Sequence, residues 1–305
     1  MAALLKLQFI IFSLIGIGFF TRRRGMVSRE GQKNITDLVI NIVLPCNILT
    51  SFSQEFAEGT MYECLMIFLI SAGIQVFSVL YGRIAYPKET EEHKKCLAYG
   101  IICSNAGFLG NPIAEGVFGS VGLMFASVYL IPVRVMMWSA GIAIFSGEHD
   151  LKGTAKKVVT HPCVLACAAG LVMMIRGWIF PEPFLSLLQT IGRCNTALSM
   201  LVIGMILSDI DLKNLVDRTV VRYTIERLLL IPLLIWIVLI PFVRANILSS
   251  FTVNLSVLLA AMPAGATTSM LASKYECAPD FATRMVILST LCSIPTIFLW
   301  SLVLA

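Results

Sequence analysis

Two short stretches of this sequence place polar, helix-breaking residues inside long apolar runs. They are CSNAGFLGNPIAEGVFGS, from Cys103 to Ser120, and AAMPAGATTSMLASKYE, from Ala260 to Glu276. The first sets Asn105 and Asn111 on either side of a glycine-rich turn, followed by Pro112 and Glu115. An amide side chain donates to carboxylate oxygens and accepts from freed backbone N–H groups. Proline suits the first position of a helix, where its missing N–H costs nothing, so Pro112 is expected to open a half-helix. A helix N-terminus attracts a carboxylate. Pro263, followed by Thr267 and Thr268, is expected to do the same in the second stretch. The expectation is a carboxylate held between two half-helix N-termini by Asn105, Asn111, Pro112, Pro263, Thr267 and Thr268. The alternative is that the asparagines only cap broken helices.

Other polar residues sit in apolar surroundings. Arg134 lies within an apolar run, where a charge costs at least about 2.5 kcal/mol and needs a purpose or a partner. It is either a bidentate clamp for a substrate carboxylate or a structural partner of Glu115. Asn34, Asp37 and Asn41 fall on one helix face, with Asn47 further along, after Pro45. Asn47 joins the candidate substrate residues. Asp37 and Glu115 are the candidate ion- or proton-coupling acids, with a solvated carboxylate as the plainer role for Asp37. Ser289, Ser293 and Thr296 form a hydroxyl stripe that reads as helix–helix glue. Arg222 and Glu226 read as an i, i+4 ion pair at an exposed helix end.

These residues need elements that hold them at membrane depth. The chain has 305 residues, 57% of them hydrophobic and only 13% charged. Hydrophobic stretches of about 20 residues recur along it, the signature of transmembrane helices. Ten candidate spans are expected: 2–20, 34–52, 61–85, 97–118, 121–145, 159–180, 184–208, 223–243, 250–273 and 281–304. The run TRRRG follows the first span, so that span is not a cleavable signal. Lys and Arg gather in alternate loops, at Arg22–Arg24, Lys94 and Lys95, Lys152, Lys156 and Lys157, and Lys213 to Arg222. The opposite loops are nearly bare, and QEFAEGT is acidic. This asymmetry places both termini outside a plasma or inner cell membrane. It also accounts for the net charge of +5 without a basic folded surface, which excludes nucleic-acid binding.

Proline and glycine within a span free backbone groups that lipid cannot satisfy. A segment such as GFLGNPIAEG is viable only when buried in protein or lining a wet cavity, as in the discontinuous helices of transporters. Each stretch is the fourth span of its half. Ten spans divide into five plus five, and an odd number forces opposite orientations. The expected fold is therefore an all-α membrane protein of ten transmembrane helices in two inverted five-helix repeats, residues 1–145 and 146–305, with broken crossover helices four and nine. The fifth spans each pair a proline with a tryptophan, Pro132 with Trp138 and Pro295 with Trp300.

The blocks NIVLPCNILTSF, SNAGFLGNPIAEGVFG, VRVMMWSAGIAIF and AAMPAGATTSMLASKYECAPDFATRMVILSTLCSIPT together make the chain resemble the auxin efflux carrier family. That family includes the plant auxin exporters and bacterial malate- and malonate-type permeases. The resemblance implies a scaffold of spans one, two, six and seven and a moving transport domain of spans three to five and eight to ten. It also implies organic acid anions as substrates and a homodimer. The chain departs from the family pattern in places. TALSM puts Ala197 where the family usually has proline, and Arg193 and Asn195 add polarity before it. Arg134 stands where plant exporters carry glutamine, which suggests a more strongly anionic substrate than indole acetate. The loop SGEHDLKGTAKK is short, so regulation through it is not expected.

The expected function is a carrier of small organic anions by alternating access, with no cofactor beyond a possible coupling proton or sodium ion. The alternatives are a sodium-coupled carrier of the bile-acid-symporter type and a transporter-like channel or sensor. An enzyme is not expected, since the three histidines lie in or beside loops and no HExxH or GxSxG occurs. No CxxC occurs either, and the nine cysteines read as apolar filler.

Overall fold

The computed structural model describes residues 2–53, 59–139, 143–145, 153, 156, 159–208 and 215–304. The acidic turn QEFAEGT and the basic loop SGEHDLKGTAKK fall largely outside these residues, as do Lys213 and the side chain of Trp138. Among the described residues every regular element is a helix. These are α1 (Ala2–Arg23), α2 (Arg29–Ser51), α3 (Thr60–Ile84), α4 (Glu91–Ile102), α5 (Asn111–Trp138), α6 (Pro162–Arg176), α7 (Phe184–Ser208), α8 (Arg218–Arg244), α9 (Ser250–Ala260), α10 (Thr267–Lys274) and α11 (Pro279–Leu304). Among the described residues, six helical stretches are long and apolar enough to cross a membrane: α2, α3, α7, α8, α11 and the stretch Ala106–Met137, which contains all of α5 but its last residue. The 25 residues of α3 extend about 37 Å at 1.5 Å per residue, more than the roughly 30 Å of a hydrocarbon core.

Local sequence fixes the helix ends. Ser28, Thr90, Asp217 and Ser249 each cap a helix by accepting a backbone N–H, the role short polar side chains serve best. Among the described residues, three helical stretches contain a π turn, and each turn ends two residues before a proline. Val39–Val43 precedes Pro45, Ala106–Gly110 precedes Pro112, and Glu226–Leu230 precedes Pro232. Proline lacks a donor and crowds the carbonyl four residues back; widening the preceding turn relieves that crowding. In α8 the carbonyl left without its usual donor is that of Leu228, and the Trp300 indole N–H bonds it at 2.9 Å. A second kind of interruption lies in α5, at Gly119, whose φ of 71° is open to glycine.

The chain divides into two compact units. The first comprises Met1–Met61, Asn111–Ser127 and Val159–Asp211. Within it α1 packs on the second part of α7 at backbone contact. A Cβ on Gly204 would fall 1.9 Å from the Ile15 carbonyl oxygen, and one on Gly18 would fall 2.1 Å from that of Leu201. The end of α2 packs on α6 and on the start of α7.

The second unit comprises Tyr62–Gly110, Val128–Val158 and Leu212–Ala305. Here α11 packs against α4, α8, α9 and α10. Side chains tie helix to backbone: Asn254 Nδ2 donates to the Leu304 carbonyl at 2.7 Å, and Ser71 Oγ to that of Tyr129 at 2.6 Å. Glu63 of α3 accepts from Ser249 and Thr252, a carboxylate at the N-terminus of α9, where the helix dipole favours it.

Candidate functional site

Within the second unit, the two interruptions expected from the sequence lie against each other. The helix α4 stops at Ile102 and α9 stops at Ala260. The extended residues that follow pair as an isolated antiparallel bridge, Ser104 with Ala264. Asn105 donates its backbone N–H to the Pro263 carbonyl at 2.8 Å, and Gly265 donates to that of Cys103 at 3.0 Å. Ser289 Oγ of α11 accepts the Ala264 N–H at 3.2 Å. Each broken segment thus satisfies backbone groups that the other exposes, the condition for non-helical chain at membrane depth.

The half-helix starts differ from expectation. Helical geometry after the first break begins at Ala106, and the Asn105 carbonyl accepts from both Leu109 and Gly110. Pro112 therefore sits one turn inside, because the π turn before it absorbs the proline. Pro263 lies in the extended link; the second half-helix opens at Thr267. Its carbonyl is committed to Asn105, which holds Pro263 in the bridge.

Arg134 lies over the first turn after the break. A Cβ on Gly107 would come within 3.9 Å of its Nη2. The side chain is 6% exposed and its Nη1 is buried without a hydrogen-bond partner. Among the described residues no carboxylate stands within ion-pair distance of it. Thr268 is fully buried with an unpartnered Oγ1, while Thr267 and Asn105 are half-buried.

In the first unit, Asn111 opens α5 fully buried, and neither its Oδ1 nor its Nδ2 has a partner. Asn47 of α2 donates Nδ2 to Glu115 Oε2 at 2.9 Å, so the partner of Glu115 is an amide. Asp37 is exposed, and Asn41 turns back to the Asp37 carbonyl at 2.8 Å. Asn195 is buried and accepts from Ser199 at 3.2 Å.

The expected pair forms, Arg222 Nε to Glu226 at 2.7 Å, and Arg222 is exposed, but Glu226 is buried and is also held by the Tyr86 hydroxyl. In the hydroxyl stripe of α11, Ser293 and Thr296 bond only carbonyls of their own helix, while Ser289 reaches the bridge. Arg227, which the sequence reading passed over, is 3% exposed and donates Nη1 to the Ala260 carbonyl at 2.8 Å. The signal for it was a second charge beside Glu226 in an apolar run, about 100° round the helix from it and so unable to share its partner.

A cavity of about 290 Å³ between α3 and α8, lined by Ile70, Phe77, Leu234 and Val238 among others, is apolar and offers nothing to bind an anion.

Comparison with known proteins accords with a transporter. A family model described as membrane transport protein matches residues 3–301. An "Uncharacterized transporter" of Methanothermobacter thermautotrophicus is 27% identical over 303 residues, covering 96% of each chain. An "Uncharacterized transporter" of Methanocaldococcus jannaschii is 23% identical, covering 97% of each. A "Putative malonate transporter" of Rhizobium meliloti is 20% identical over 307 residues, covering 97% of this chain and 94% of its own.

Proposed function

This chain belongs to the auxin efflux carrier family of membrane transport proteins, and on that premise we propose that it carries small organic acid anions across the membrane by alternating access. As a member with several long apolar helices it is a multi-pass membrane protein. The observation that carries the substrate class is Arg134. It is a buried guanidinium with no carboxylate within ion-pair distance among the described residues, placed over the first turn of a helical segment that follows a bridged break. The first amides of such a segment have no intrahelical acceptor, and a planar guanidinium matches a carboxylate in two parallel hydrogen bonds. Desolvating an arginine without an anion is costly; a substrate carboxylate offsets that cost.

In this reading the bridged breaks are the crossover of helices four and nine, and the fold is two inverted five-helix repeats, 1–145 and 146–305. The helices assigned to a scaffold, α1, α2, α6 and α7, fall in one compact unit, together with the first part of α5, Asn111–Ser127. Asn105, Thr267 and Thr268, in the same unit as Arg134, supply polar contacts to the substrate. Glu115 is the acid assigned to proton coupling. Asp37, exposed, serves as a solvated carboxylate. Both termini lie outside, and the carrier works as a homodimer. The malonate named for one relative makes dicarboxylates the first substrates to try.

The test is flux into proteoliposomes of malonate, malate, lactate and indole acetate, each with and without sodium and a pH step. Saturable uptake of one class supports the carrier. Flux linear in concentration supports a channel. No uptake and no counterflow for any acid overturns the anion assignment.

A further inference from the structure

Arg227 makes a different use of positive charge from Arg134. It lies in the π turn of α8, is 3% exposed, and has no carboxylate within ion-pair distance among the described residues. Its Nη1 donates to the Ala260 carbonyl at 2.8 Å, and its Nε is buried without a partner. Glu226, the adjacent carboxylate, is committed to Arg222 and Tyr86.

Ala260 is the last residue of α9, directly before the bridged break. The C-terminal carbonyls of a helix have no intrahelical donor and carry the negative end of the helix dipole. In ion-coupled transporters, the carbonyls at the end of an interrupted helix take the coupling cation. In this chain one of those carbonyls is occupied by a side chain. A guanidinium keeps its charge at any physiological pH, so its occupancy does not vary with pH.

We infer that Arg227 is a resident cation: its tethered guanidinium neutralises the end of the interrupted helix α9 in place of a bound metal ion, so this carrier needs no sodium to assemble its break. The inference rests on the carrier reading of the bridged break, yet it concerns the ligand-free protein and is tested without substrate. Arg227 is a positioning residue here; it holds the end of α9 and makes no contact with the transported anion.

The experiment is thermal unfolding of the purified full-length protein in potassium, sodium and millimolar guanidinium or methylguanidinium salts. The variants are wild type, Arg227→Ala and Arg227→Lys. The wild-type midpoint is expected to be equal in sodium and potassium. Arg227→Ala is expected to unfold several degrees lower and to regain most of that loss, saturably, with guanidinium. Arg227→Lys is expected to fall between the two. A wild-type midpoint that rises saturably with sodium overturns the inference, because the cation place would then be open. So does an Arg227→Ala protein that melts like wild type or that no cation restores. Should Arg227→Ala not fold, the Arg227→Lys midpoint decides: equal loss in every salt with no guanidinium response overturns the inference, and partial recovery supports it. Because the readout is stability, failure of anion flux leaves this result standing, and the converse holds.

Discussion

Asn105 bonds the Pro263 carbonyl at 2.8 Å and Gly265 bonds that of Cys103 at 3.0 Å, which joins two breaks far apart in sequence into one bridge. The bridge is narrow at Gly265. A Cβ there would fall 3.2 Å from both the Cys103 carbonyl oxygen and Thr267 Oγ1. Gly265→Val is expected to destabilise the protein by about 1–3 kcal/mol, the usual cost of overpacking, and to reduce anion flux more than expression. Melting temperature and counterflow measured together check this; an unchanged melting temperature would mean the bridge is slack.

Trp300 and Pro232 form a compensating pair. The Trp300 indole N–H bonds the Leu228 carbonyl, which Pro232 cannot reach because it has no N–H. Trp300→Phe is expected to cost about 1–3 kcal/mol, the penalty for an unsatisfied buried acceptor. In a Pro232→Ala background the new backbone donor should shrink that cost. Equal costs in both backgrounds would show that the two residues act independently, and chemical denaturation of the four proteins in a double-mutant cycle measures it.

Backbone contact between α1 and α7 leaves no room at Gly204. Gly204→Ala places a methyl group 1.9 Å from the Ile15 carbonyl oxygen, so the helices must separate. The expected result is a loss of several degrees in melting temperature, with Gly16→Ala, where nothing lies within 4 Å, as the unaffected control.

Asn47 fixes Glu115 through a 2.9 Å hydrogen bond. A hydrogen bond to a charged group is worth about 1.5–3 kcal/mol, and the half-buried position of Glu115 puts Asn47→Ala toward the lower end. Glu115→Gln keeps an acceptor for Asn47 while removing the titrating group. It should therefore retain stability and lose any pH dependence of flux; retained pH dependence would assign proton coupling elsewhere.

Much of this organisation is legible in the residues. The proline- and glycine-rich stretches at 103–120 and 260–276 mark both breaks, and apolar runs mark the helices. The exact half-helix starts are not legible, because Pro112 and Pro263 obey tertiary constraints: a π turn carries helical geometry back to Ala106, and the bridge holds Pro263 extended. Arg227 escaped notice because its acceptor is a backbone carbonyl 33 residues away, and backbone acceptors leave no mark in a sequence. Asn47 was picked for its polarity, yet nothing in the sequence pairs it with Glu115. Burial of Glu226 was missed because an i, i+4 pair looks the same on an exposed and a buried face.

The most direct test of the central claim is labelled-malonate counterflow in proteoliposomes with wild type and Arg134→Lys. Lysine keeps the charge and loses the planar fork. The account predicts saturable wild-type counterflow that falls roughly tenfold or more in Arg134→Lys, a loss of about 1.4 kcal/mol or greater in anion recognition. Wild-type kinetics in Arg134→Lys would contradict the clamp, and flux that never saturates would contradict the carrier.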